Sequence, residues 1–289
     1  MKVLVLGGTG AIGAAVVEAL IARHHEVIAL ARSAAGLARM AAAGCRTRAG
    51  DVREPASWIA AADSVDAIVQ TVGDFTPDAA RTDHSLVTAL LGRLARHDEP
   101  KTYLYTGGCW LYGSTGDQVA TEESPFHAPD AWAWSIDHLT MVLKARPCRG
   151  MVIHPAMVYE RDGGVLEHFR DDLATLGRAR VIGSEGVRWP MVHRRDIGLL
   201  YALALEKGRE GASYNGAAVD SVPVGKLARA MTRRAGISSA PLVRSVEDAV
   251  SELGAWAVGY AIDQQMSGAK ARRELGWVPA HPDPIADIS

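Results

Sequence analysis

Short apolar runs alternate with longer stretches of mixed polarity through the first half of the chain. The runs Val3–Leu6, Val27–Ala31, Arg46–Arg48, Ala67–Thr71, Thr102–Thr106 and Met151–Ile153 are of strand length, and the intervals between them are long enough for helices. Strands that regularly alternate with helices predict an α/β protein whose sheet is parallel and covered on both faces.

The first interval is the most informative. Val3–Leu6 stops at Gly7-Gly8-Thr9-Gly10-Ala11-Ile12-Gly13, which opens a helix that returns to the run Val27–Ala31. Gly7 and Gly10 permit a tight turn and a close backbone approach to a pyrophosphate, Gly13 lets the helix pack on the strand, and the free N–H groups of the helix start face phosphate. Gly7, Thr9, Gly10, Ala11, Ile12 and Gly13 are therefore expected to bind a dinucleotide. Ala31-Arg32-Ser33 ends the second run without an acidic residue. A carboxylate there would accept from a ribose 2′-hydroxyl, whereas a 2′-phosphate needs a cation. Arg32, with the Ser33 hydroxyl as a second donor, points to NADP(H).

The spacing Gly-x-x-Gly-x-x-Gly resembles the extended and atypical branches of the short-chain dehydrogenase/reductase superfamily, which include nucleotide-sugar epimerases and dehydratases. The resemblance implies a doubly wound parallel Rossmann sheet with a small C-terminal substrate lobe. It puts the cofactor-binding core at 1–155, with a strand and helix returning from about 190–235, and the lobe mainly at 156–289. Asp51 and Val52 resemble the family position that meets the adenine, although Asp51 also suits a helix cap. Thr71, Val72 and Gly73 follow the fourth run, where ligands sit beyond the carboxyl ends of strands. The segment from His154 to Tyr159, with Pro155, is similar to the stretch that passes under the nicotinamide. His193 and Asp196 resemble lobe-packing positions, and 269–279 is similar to the closing helix-turn.

One family feature is missing. Ordinary members use a tyrosine made acidic by a lysine four residues on, with an upstream Ser or Thr; the cation favours phenolate, which shifts a pKa of about 10 toward neutrality. No Tyr-x-x-x-Lys occurs, and the expected helix reads Pro129-Asp130-Ala131-Trp132-Ala133-Trp134-Ser135-Ile136-Asp137-His138. The upstream hydroxyl slot falls on Gly108. Thr106, Tyr112 and His138 are the substitute catalytic candidates. Seven tryptophans against three phenylalanines, with Trp110, Trp132 and Trp134 on the loop and helix that line the family's cleft, suggest a ligand-stacking wall. Because residues two apart on a helix face apart, Trp132 or Trp134 is free to serve core packing instead. Cys109, Trp110, Trp134, Met157 and Tyr159 are the expected substrate-pocket residues.

Composition narrows the function classes. The 289 residues carry a formal net charge of −2 and no basic cluster, so neither nucleic acid nor an anionic membrane is an expected partner. A core strand directly after Met1 and the lack of a membrane-length apolar run predict a cytoplasmic protein. Three scattered cysteines and ten histidines without ligand spacing predict neither disulfides nor a metal site. The expected function is NADP(H)-dependent oxidoreduction of a small apolar or aromatic metabolite by a monomer or homodimer. The alternatives are a non-redox isomerase, cyclase or lyase in the same cleft, and an NADP(H)-sensing or partner-binding module.

Overall fold

The computed structural model describes residues 1–73, 75–161 and 163–289. Thirteen strands run along the described chain: β1 Lys2–Leu6, β2 Glu26–Ala31, β3 Arg46–Ala49, β4 Ala67–Gln70, β5 Thr102–Thr106, β6 Arg149–Pro155, β7 Met157–Glu160, β8 Gly163–Gly164, β9 Arg180–Ile182, β10 Arg188–His193, β11 Ser213–Gly216, β12 Val219–Pro223 and β13 Leu242–Arg244. The helices are α1 Ala11–Ala22, α2 Ala34–Ala42, α3 Ala79–Leu94, α4 Asp130–Lys144, α5 Glu167–Leu176, α6 Arg194–Lys207, α7 Val224–Arg234, α8 Val246–Leu253, α9 Ala269–Leu275 and α10 Pro284–Ile288.

Seven strands form one sheet in the order β11-β6-β5-β4-β1-β2-β3, and every pairing is parallel. Central strands must bury both faces under helices, and the sequence meets that demand. In β1, Val3 and Val5 enter the core shared with α1 and α6, while Leu4 and Leu6 enter the core shared with α3 and α4. The edge strand β3, by contrast, is exposed throughout and carries Arg46 and Arg48, which suits an edge that must not pair with another chain. This is the expected doubly wound Rossmann arrangement.

Helix α6 packs on α1 and β11 adds the last strand, whereas α7 packs on α5 and α10 in the C-terminal lobe. That lobe holds a four-stranded sheet, β12-β10-β7-β8, and the pair β13-β9. Asp196 fastens the tail to the core: its buried carboxylate accepts from the Ala280 and His281 N–H groups at 2.8 and 3.0 Å, and its carbonyl from Trp277 Nε1 at 2.9 Å. No helix among the described residues is long and apolar enough to cross a membrane.

Candidate functional site

The glycine-rich turn joins β1 to α1 at the carboxyl edge of the sheet. Gly7 has φ +86°, and a Cβ there would lie 2.8 Å from the Thr71 carbonyl oxygen. At Gly13 a Cβ would lie 2.1 Å from the Gly7 carbonyl oxygen, so the helix packs against the turn only because that side chain is absent. A Cβ on Gly10 meets only the Gly7 oxygen, at 3.4 Å; this glycine faces open space. Gly10 N–H closes the turn onto the Gly7 carbonyl at 2.9 Å. No side chain caps the start of α1 and no acidic residue sits in its first turn, which leaves the positive end of the helix open to an anion.

A cavity of about 390 Å³ lies over this turn. Of the residues expected to bind cofactor, it is lined by Gly7, Thr9, Gly10, Arg32, Asp51, Val52, Thr71, Val72 and Gly73. Arg32 is exposed and makes no hydrogen bond or ion pair among the described residues. Ala11, Ile12 and Gly13 stand behind the lining in the first turn of α1, and Pro155 is buried at the end of β6. Ser33 is also outside it. Its hydroxyl oxygen caps α2 by accepting from Gly36 N–H at 3.1 Å, which explains its place in the sequence without a phosphate. Asp51 does not cap a regular helix; Oδ1 accepts from Arg53 N–H at 2.9 Å and its carbonyl from Trp58 Nε1 at 2.7 Å, so it shapes the turn after β3. Gly50, Arg53 and Thr76 also line the cavity, and the first two were within reach of sequence reasoning because they flank Asp51 and Val52.

The three acid–base candidates are each engaged. Thr106 Oγ1 donates to the carbonyl of Gln70, one residue before Thr71, and bonds Tyr201 Oη at 2.6 Å. It therefore sits one strand from the groove. Tyr112 donates to Asn215 Oδ1 at 2.8 Å, and burial, then the nearby Glu122 carboxylate, push its phenol above the ordinary range. That is the opposite of what a tyrosine acid near neutral pH requires. His138 Nδ1 lies 2.7 Å from Asp83 Oδ2, and since a carboxylate only accepts, the proton sits on Nδ1. Asp83 also accepts from Tyr105 Oη at 2.7 Å and Gln70 Nε2 at 2.6 Å, which places His138 in a buried network between α3, α4 and the sheet.

Three pocket nominations are corrected. Tyr159 is fully buried, with its hydroxyl donating to Asp287 at 2.6 Å, and it ties β7 to α10. Cys109 and Met157 are buried against each other, Sγ to Sδ 3.8 Å, and burial pushes the Cys109 thiol up to about 12, so it packs as a small apolar group. Trp110 does stand in an aromatic wall. Its ring lies 5.4 Å from that of Trp132 and 5.7 Å from that of Tyr260; Phe75 touches Trp132 at 5.6 Å and Trp256 at 5.0 Å. Trp134 lies at the margin, 6.5 Å from Trp132 and 5.2 Å from His138, and its Nε1 donates to the Ala131 carbonyl at 3.0 Å. The inner place belongs to Trp132. Phe75, Trp256 and Tyr260 were not anticipated, because they reach the wall from the loop after β4 and the turn Ala255–Ala261 of the lobe.

Residues 3–217 match the model of the NAD dependent epimerase/dehydratase family. The chain belongs to this family. An uncharacterized protein of Schizosaccharomyces pombe is 26% identical over 100% of the chain and 98% of its own length. A 3-diazoavenalumate denitrifying reductase of a Streptomyces species is 27% identical over 98% of the chain and 97% of its own length. Among solved structures, the human epimerase family protein SDR39U1 with NADPH superposes with a TM-score of 0.81 at 21% identity, covering 100% of the chain and 98% of the human one. Membership of this family supports a nicotinamide cofactor as the class of ligand. The open helix end, the space over Gly10 and the unengaged Arg32 fit such a group. Among the described residues no cluster of three or more His, Cys, Asp or Glu is placed to hold a metal ion.

Proposed function

We propose that this protein is an NADP(H)-dependent oxidoreductase that acts on a small, flat, apolar or aromatic metabolite. The observation that carries the reading is the pairing of an open, cation-edged dinucleotide groove with an aromatic wall on the loop and helix that bear acid–base groups in ordinary relatives. Arg32 would hold a 2′-phosphate, and Gly7, Gly10 and the start of α1 the pyrophosphate; Asp51 and Val52 would flank the adenine. A bound reduced nicotinamide supplies the two electrons of a reduction. Phe75, Trp110, Trp132, Trp256 and Tyr260 stack on the substrate and exclude water, work that needs no strong acid. The names of two similar proteins support this reading: one is a reductase, and the other was solved with NADPH.

Oxidation of NADPH measured against a panel of planar aromatic acceptors tests it. Turnover should appear only with an acceptor present and should favour NADPH over NADH at least tenfold, since a charge-assisted bond contributes about 1.5–3 kcal/mol. Arg32→Asp should reverse that preference. Equal use of both cofactors removes the role of Arg32, and tight NADPH binding without turnover on any acceptor refutes the enzyme.

A further inference from the structure

Buried indole nitrogens in this protein follow a rule with two exceptions. Trp58, Trp134, Trp189 and Trp277 each donate Nε1–H to a backbone carbonyl: Asp51 at 2.7 Å, Ala131 at 3.0 Å, Tyr260 at 3.0 Å and Asp196 at 2.9 Å. Trp110 and Trp132 do not. Their Nε1 atoms are buried, and neither has a hydrogen-bond partner. A buried donor left unpaired is costly and uncommon, and indole N–H groups usually find an acceptor. Both exceptions fall in the same wall, on rings 5.4 Å apart, and the backbone makes room for one of them: a Cβ on Gly259 would lie 2.4 Å from the Trp110 ring.

The charge around the wall selects among acceptors. Among the described residues, the cations that sit over aromatic rings are Lys270 on Tyr214 and Arg272 on Trp277, and neither ring belongs to the wall. Titratable groups at the wall include His138 against Trp134, with Asp83 bonded to it at 2.7 Å and the His84 ring 5.2 Å from it, and His168, stacked on Tyr260 at 5.1 Å; Glu167 is the carboxylate that acts on Tyr260. Burial draws His168 down to about 4, so it is neutral near pH 7. Carboxylates on both sides, Asp83 behind His138 and Glu167 near Tyr260, would repel an anionic ligand, whereas a neutral oxygen or nitrogen acceptor on a flat ring, admitted past Phe75, would find two unpaired donors and stacking faces. The cover over the place is slight. Phe75, 55% exposed, bridges Trp132 and Trp256 from a loop.

We infer that Trp110 and Trp132 form a two-donor subsite for the neutral acceptor atom of a planar conjugated ligand, such as a ring carbonyl or an aromatic nitrogen–nitrogen double bond, with Phe75 as its cover. This inference rests on the oxidoreductase reading for its place in the substrate cleft, but it concerns binding alone.

Three probes of similar shape test it: coumarin, which has a neutral carbonyl; naphthalene, which has none; and 2-naphthoate, which is anionic. Each is titrated into the ¹⁵N-labelled protein saturated with NADP⁺, with the indole N–H signals assigned through Trp110→Phe and Trp132→Phe. Coumarin should bind at least tenfold more tightly than either other probe and move the Trp110 and Trp132 indole signals, while those of Trp58, Trp189 and Trp277 stay in place. Equal affinity for coumarin and naphthalene, tightest binding of 2-naphthoate, no binding of coumarin, or coumarin binding without movement of the two signals each overturns the inference. The wild-type affinities decide the matter even if a tryptophan variant fails to fold. The experiment involves no turnover, so a protein inert toward every redox acceptor can still pass it, and an active reductase can still fail it.

Discussion

The groove over the glycine-rich turn and the aromatic wall, proposed as the two ends of one cleft, are built from different materials. The dinucleotide end is made by backbone: a turn that closes because Gly7 and Gly13 lack side chains, a helix end without a cap, and one unengaged guanidinium at the lip. The far end is made by side chains that arrive from remote parts of the chain, with Phe75, Trp110 and Trp132 from the core meeting Trp256 and Tyr260 from the lobe. One end is an open groove with a cation at its lip, and the other is packed and apolar. A groove made of backbone does not depend on side chains elsewhere, so it stands in a chain without a tyrosine–lysine pair.

The sharpest way to break this contrast is at the turn. Gly13→Val should prevent stable folding, because a Cβ there lies 2.1 Å from the Gly7 carbonyl oxygen and a backbone clash of that kind cannot relax cheaply. Gly10→Val should fold with nearly wild-type thermal stability and lose NADPH binding by more than about a hundredfold, since its side chain occupies the phosphate's space. Calorimetric titration and thermal unfolding together check the pair. Retained NADPH binding by folded Gly10→Val would make the motif a turn and nothing more.

At the aromatic end the matching substitution is Gly259→Val, which pushes the Trp110 ring out of place. It should cost about 1–3 kcal/mol in urea unfolding as overpacking and leave NADPH affinity unchanged. A loss of NADPH affinity comparable to that of Gly10→Val would show that the two ends are not independent.

The smallest effect is one of pH. His154, packed against Tyr112, and His168, against Tyr260, are both drawn down to about 4 by burial; His154 is partly offset by the Gly108 backbone, although neither of its ring nitrogens reaches a partner at hydrogen-bond geometry. An unfolded histidine titrates near 6.5, so between about pH 6.5 and 4 the unfolded chain binds more protons than the folded one. Stability is full above that window and falls as pH drops through it. His154→Leu should flatten the decline in urea midpoint between pH 7 and 4.5. An unchanged slope would mean that His154 is not held neutral in the folded state.

The same division explains what was legible in the sequence. The sheet, the turn and the cavity-lining residues Gly7, Gly10, Arg32, Asp51 and Thr71–Gly73 were readable because each follows from local spacing: an apolar run, then a turn, then a helix. Ser33 shows the limit of that approach, since a hydroxyl at a strand end serves a helix cap as well as a phosphate, and only the contact with Gly36 decides. Tyr159 and Met157 lie in a strand whose burial depends on α10 and β10, remote in sequence, so their absence from the pocket had no local signal. The wall was half visible. A surplus of tryptophan marked Trp110, but Phe75, Trp256 and Tyr260 join it through contacts between core and lobe that no spacing rule encodes.

The central claim is that recognition at the far end rests on aromatic shape instead of a relocated acid. The direct measurement is kcat/KM for the best acceptor of the panel, with NADPH, in Trp110→Ala, Trp132→Ala, Tyr112→Phe and His138→Ala, each first checked for folding. Removing a buried aromatic group costs about 3–5 kcal/mol in a core, and a ligand-facing one should lose a comparable share of binding. The tryptophan variants should fall by a hundredfold or more, with Tyr112→Phe and His138→Ala within about threefold of wild type. If Tyr112→Phe or His138→Ala instead abolishes turnover while both tryptophan variants stay near wild type, an acid–base catalyst is at work and the shape-based account is wrong.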